Sequence, residues 1–141
     1  MDHGDRLLLG IDLVKDPDRL VAAYDDADGV TAEFNRNALR VLNRELGADF
    51  DPDAFDHVAL WDADQRWIEM RLRARSPQTV TVPGLPGSLR FDTGDGLRTE
   101  ISAKFTVEGM TEELWAYGFV VDETFVDPAQ DFALLLAHPY C

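Results

Sequence analysis

Trp67-Ile68-Glu69-Met70-Arg71-Leu72-Arg73-Ala74 decides the fold class, because its apolar residues recur at every second position. Ile68, Met70, Leu72 and Ala74 point one way and Trp67, Glu69, Arg71 and Arg73 the other, the pattern of a half-buried β-strand. Upstream the period is different. From Thr31 to Leu46 the apolar residues Phe34, Ala38, Val41, Leu42 and Leu46 follow helical spacing, with Arg36, Arg40 and Arg44 on other faces and Gly47 as the stop. One chain therefore carries both periods, and the expected class is α/β, or α+β for this chain taken in isolation.

Further strands are expected on both sides of this pair. Val58–Trp61 partners the alternating strand, and Thr79–Val82, Leu89–Phe91 and Leu97–Phe105 follow, punctuated by Pro83, Pro86 and Gly94-Asp95-Gly96. In the last of these, Arg98, Glu100, Ser102 and Lys104 share one face and Ile101, Ala103 and Phe105 the other. Thr111 is expected to cap a short helix with Glu112 and Glu113 in its first turn and Gly118 at its end. Two apolar strands, Phe119–Val126 and Phe132–Ala137, close the chain. At the other end, the uninterrupted run Leu7–Ile11 reads as a strand buried on both faces, as in the middle of a parallel sheet. Pro17 opens a helix through Leu20 and Tyr24, and Asp25-Asp26-Ala27-Asp28-Gly29 is a polar break.

The 141 residues include 13 Lys and Arg against 27 Asp and Glu, a formal charge of −14. Such a field repels nucleic-acid backbones and anionic lipid, and no basic cluster reverses it locally, so neither nucleic acid nor membrane is an expected partner. Cys141 is the single cysteine, which excludes an intrachain disulfide and a Cys-based zinc site. It is read as an incidental thiol. The Leu7–Ile11 run is too short to span a bilayer, and Asp2 and Asp5 do not suit a signal peptide. A reducing, cytoplasmic location is expected.

Few motifs carry chemistry. Asp49-Phe50-Asp51-Pro52-Asp53 has alternate carboxylates, but Ala54 and Leu60 stand where a calcium loop needs Gly and Glu. His3, His57 and His138 are too scattered for a ligand set, and Gly84-Leu85-Pro86-Gly87 carries proline where a phosphate loop needs amides. Glu100 and Ser102, two apart on one strand, can grip a donor such as an imidazole or amide, or can be a solvated face with Arg98 and Lys104 as counter-ions. Met70 is either core filler or a pocket wall. Tyr24, beside Asp25 and Asp26, is either a binding phenol or a helix-end residue.

Four segments resemble the histidine-specific methyltransferases of ergothioneine biosynthesis, in family order and spacing: Leu7–Asp16, Tyr24–Asn35, Ile68–Leu72 and Thr99–Phe105. The resemblance implies trimethylation of the α-amino group of L-histidine to hercynine by S-adenosylmethionine, on a Rossmann-like domain with an interleaved substrate domain. It divides the chain into a Rossmann-like segment 1–14, a histidine-binding domain 15–104 and a closing helix and hairpin 105–141. It implies that Glu100 and Ser102 hold the imidazole, that Met70 walls the same pocket and that Tyr24 binds the amino-acid backbone at its carboxylate. The cofactor site of the family lies mostly in a glycine-rich first half to which nothing in this sequence corresponds. The chain is therefore expected to be inactive alone, and to pair with an N-terminal half or partner subunit or to self-associate through an exposed sheet edge. The alternative expectation is a non-catalytic amino-acid- or protein-binding module derived from the family.

Overall fold

The computed structural model describes residues 4–140; His3 and Cys141 lie outside the described residues. The elements in chain order are β1 (Leu7–Asp12), α1 (Pro17–Tyr24), α2 (Val30–Leu46), a single 3₁₀ turn (Pro52–Ala54), β2 (Phe55–Asp62), β3 (Trp67–Ala74), β4 (Gln78–Val80), β5 (Leu89–Phe91), β6 (Gly96–Ala103), α3 (Val107–Ala116), β7 (Phe119–Val126) and β8 (Phe132–Pro139). The chain is α/β, and it separates into two compact units.

One unit comprises the chain up to Asp16, the turn Ala63–Arg66 and everything from Ala103 onward. Its sheet has the order β1-β8-β7, both pairings antiparallel, so the last strand lies between the first and its own hairpin partner. Within this chain Leu7–Asp12 pairs antiparallel with β8 on one side. The burial of β1 alternates here: Ile11 is buried while Leu8 is 61% exposed. One sheet face buries Ile11, Ala133, Leu135 and Ala137 against Leu114, and the other also presents apolar side chains, which is why the run is continuous. Gly10 has a packing reason: a Cβ there would come within 2.7 Å of the Phe132 ring on the neighbouring strand.

The helix near Thr111 is corrected. Thr106, in extended conformation, is the cap and its hydroxyl accepts from the Gly109 amide. Starting one turn earlier puts Val107, Met110 and Leu114 on the core side, which outweighs the cost of Gly109 inside a helix. Thr111 instead donates to the Val107 carbonyl at 2.8 Å.

The second unit comprises residues Pro17–Asp62 and Trp67–Ser102. Its sheet has the order β2-β3-β6, with β2 and β3 antiparallel in a register that sets Ala59 opposite Met70 and His57 opposite Leu72. The alternation of β3 is realised: Ile68, Met70, Leu72 and Ala74 are all buried. Leu20 of α1 packs on Ala59, Ile68 and Met70, and Leu39 of α2 joins Phe50, Phe55, Leu72, Val80 and Phe91. Phe55 and Phe91 meet edge to face at 5.5 Å between ring centres.

Helix α2 spans the expected residues and ends at Gly47 in the left-handed region (φ 66°). Its buried face is not the apolar stripe, however. Asn35 and Leu39 are buried, whereas Phe34 is 66% exposed and Leu42 and Leu46 also face solvent. Polar residues turn inward because each is fully engaged there: Asn43 donates to Phe50 O at 2.7 Å and accepts from Phe50 N at 2.9 Å. The Asp-rich stretch that follows serves the backbone, Asp51 accepting from Asp53 N and Asp49 from Thr81 N.

Candidate functional site

Tyr24, Met70, Glu100 and Ser102 all lie in the second unit. Tyr24 is the last residue of α1, where helix carbonyls lack partners of their own helix. Its ring packs on the cluster of Leu20, Ala59, Ile68 and Met70, and its hydroxyl is 2.8 Å from the Ser102 hydroxyl near the end of β6. The two residues are 78 positions apart in sequence, so only the fold joins them. Met70 lies in that cluster, 4% exposed, and its carbonyl accepts the Thr99 hydroxyl at 2.9 Å, which ties β6 to β3 at this level.

Glu100 stands apart. It is exposed and has no hydrogen-bond or ion-pair partner among the described residues. The expected counter-ions are committed elsewhere. Arg98 bonds to Glu69 at 3.1 Å and stacks over Trp67, and Lys104 pairs with Asp12 at 2.7 Å in the other unit. The reading of Glu100 as part of a neutralised strand face therefore has no support in the structure. Ser102 is half-buried against Tyr24, while Glu100 faces solvent.

Glu69, read as an outward residue, is 6% exposed. Hydrogen bonds from Arg71 and Arg98, with a further one from the Trp67 indole, hold its carboxyl below the usual carboxylate range. Asp26, read only as part of a polar break, accepts from Val30 N at 2.9 Å and Thr31 N at 2.8 Å at the start of α2. Those bonds, Thr31 foremost, bring its pKa down to about 2.

Sequence reasoning also missed His57 and Asn35. The His57 Nε2–H donates to the Tyr24 carbonyl at 2.7 Å, since a carbonyl can only accept. Its Nδ1 then accepts from Asn35 Nδ2 at 2.9 Å, and the same amide nitrogen donates to Arg71 O at 3.2 Å. Extending the β2 alternation back from Ala59 would have set His57 on the inward face. No sequence signal marked Asn35.

A sequence profile for the histidine-specific, SAM-dependent methyltransferases matches residues 1–139. The chain belongs to that family. It is 56% identical over 137 residues to a histidine N-alpha-methyltransferase of Mycolicibacterium smegmatis and 53% identical to one of Mycobacterium tuberculosis. Each alignment covers 97% of this chain and 43% of the relative. A shorter match, 44% over 43 residues, is to ergothioneine biosynthesis protein 1 of Neurospora crassa, covering 30% of this chain and 5% of that protein.

Family membership implies S-adenosylmethionine, but the residues present do not form a cradle for it. A nucleoside cofactor on a Rossmann-like sheet needs a glycine-rich turn after a strand and an acidic residue beyond the next one. After β1 comes Leu13-Val14-Lys15-Asp16, without glycine, and Lys15 is held by Asp12 at 2.6 Å and the Asp131 carbonyl at 3.0 Å. No cofactor contact is assigned to this chain. Among the described residues, no cluster of His, Cys, Asp and Glu is arranged for a metal, and no helix is long and apolar enough to cross a membrane.

Proposed function

We propose that this chain is the substrate-binding portion of a cytoplasmic S-adenosylmethionine-dependent enzyme that trimethylates the α-amino group of L-histidine. The observation that carries the reading is the Tyr24–Ser102 hydroxyl contact at 2.8 Å, with Tyr24 packed on the cluster that holds Met70. Two groups that both donate and accept converge there, with the unneutralised Glu100 carboxylate two residues along the same strand. A neutral imidazole offers one donor and one acceptor nitrogen. Glu100 takes the ring N–H, Ser102 donates to the other nitrogen, Met70 walls the site and Tyr24 holds the substrate carboxylate.

The donor supplies an already activated methyl group, so the chain's task is to bind and orient the amine. A site with these groups rejects a side chain lacking imidazole, because its own polar atoms would then be left unpaired. The chain spans 43% of the length of the relatives it matches. We assign the cofactor site and the grip on the substrate amine to sequence of the kind those relatives carry beyond the match. Such a portion, in a longer chain or a partner subunit, also fits the apolar side chains that β1 and β8 leave exposed, including Leu8 and Phe132.

The test joins the full chain to the part of the Mycolicibacterium smegmatis relative that it does not match and measures methyl transfer to L-histidine. Hercynine formation supports the proposal. A folded fusion that binds L-histidine without methylating it contradicts the proposal and favours the binding module.

A further inference from the structure

We infer that His57 and Asn35 are positioning residues for substrate binding, acting through Tyr24; this rests on the proposed role of the Tyr24 hydroxyl. An eight-residue helix that ends beside Asp25-Asp26-Ala27-Asp28 would fray, since its terminal carbonyls have no partners within the helix. The Tyr24 carbonyl is instead held by His57 Nε2–H at 2.7 Å, from β2, the strand paired with the one that carries Met70.

The ring of His57 is fixed in turn. Asn35 is 4% exposed, and its amide nitrogen has two protons and two acceptors: His57 Nδ1 at 2.9 Å and Arg71 O at 3.2 Å. The Arg71 carbonyl belongs to the β3 backbone and fixes which way the amide faces. The amide then requires an acceptor at Nδ1, so the ring is neutral and carries its proton on Nε2, where the Tyr24 carbonyl requires a donor. Every proton in the relay is accounted for, from β3 through α2 and β2 to the end of α1. Beyond it stands the Tyr24 hydroxyl, 2.8 Å from Ser102. With the backbone of Tyr24 pinned and its ring packed on Leu20 and Met70, the hydroxyl is set in place before substrate arrives.

The test is a double-mutant cycle in the fused protein described above. His57→Leu removes the donor to Tyr24 O, and the expected result is a KM for L-histidine raised about tenfold with kcat changed less than about twofold. His57→Gln, whose amide can still donate from near the Nε2 position, is expected to recover most of that loss. In a Tyr24→Phe background His57→Leu is expected to add almost nothing to KM, since both act through one hydroxyl. A merely structural His57 would lower the folded fraction, and hence apparent kcat, with KM unmoved; that result, or additive effects on KM, overturns the inference.

A second measurement decides the matter without activity. In the full chain alone, ¹⁵N NMR of the His57 ring at neutral pH is expected to show the Nε2–H tautomer, and His57→Gln is expected to leave the Tyr24 ring signals nearly in place while His57→Leu shifts them. An Nδ1–H or charged ring, or Tyr24 signals indifferent to His57→Leu, overturns it. A wild-type fusion that fails to methylate histidine counts against the proposed function, and these NMR outcomes still decide whether His57 positions Tyr24.

Discussion

Both units match the charges they bury, and the second also carries an unmatched carboxylate two residues from an ordered pair of hydroxyls. In the unit built on β1, β8 and β7, Lys104 is 3% exposed and bonded to Asp12, which also accepts from Lys15. Burial pushes the Asp12 carboxyl up, but the hydrogen bonds and charges of Lys104 and Lys15 outweigh it and hold it below its ordinary value. In the unit built on β2, β3 and β6, Glu69 is likewise neutralised by Arg71 and Arg98, yet Glu100 on the same sheet has no partner among the described residues. A buried charge has to be matched by its own fold, whereas an exposed unmatched carboxylate beside ordered hydroxyls is available to a ligand. The contrast separates groups that hold the chain together from groups that can bind.

The largest expected effect breaks the first side of the contrast. Asp12→Ala takes the carboxylate from a buried ammonium and is expected to cost on the order of 3 kcal/mol, measured by urea denaturation. Glu100→Gln tests the other side. It is expected to lower kcat/KM for L-histidine roughly 10- to 100-fold in the fused protein while leaving stability within about 0.5 kcal/mol of wild type, because the carboxylate makes no bond to lose. Tyr24→Phe follows, with about a tenfold loss of histidine affinity by calorimetry and a small loss of stability from the broken Ser102 contact.

The smallest effect is one of pH. Asp26 has a folded pKa of about 2 against an ordinary value of 3.8, so its contribution to stability is complete above the ordinary value and is lost as pH falls toward 2. Asp26→Asn is expected to flatten the decline in thermal midpoint between pH 4 and pH 2 without changing the midpoint's trend at neutral pH. Asp12, also lowered, adds a loss of the same sign and keeps part of that decline in the variant.

Strands and helices were legible wherever period alone decides them, as in β3, where alternate residues are buried as the sequence implies. Faces were less legible. On α2 the apolar stripe of Phe34, Leu42 and Leu46 points outward, and the inward row of Asn35, Leu39 and Asn43 could not be foreseen, because side-chain bonds to distant backbone leave no local pattern. The proposed site residues, Tyr24, Met70, Glu100 and Ser102, were suggested by family resemblance. The contact between Tyr24 and Ser102, 78 positions apart, could not be read from spacing, since only the fold joins them. The His57–Asn35 relay is a tertiary feature throughout and emerges only when four elements are assembled.

The most direct test of the account is kcat/KM for L-histidine in the fused protein, measured beside its thermal midpoint, for wild type and Glu100→Gln. The account predicts at least a tenfold fall in kcat/KM with an unmoved midpoint. An unchanged kcat/KM, or a fall that only follows loss of folded protein, would contradict it.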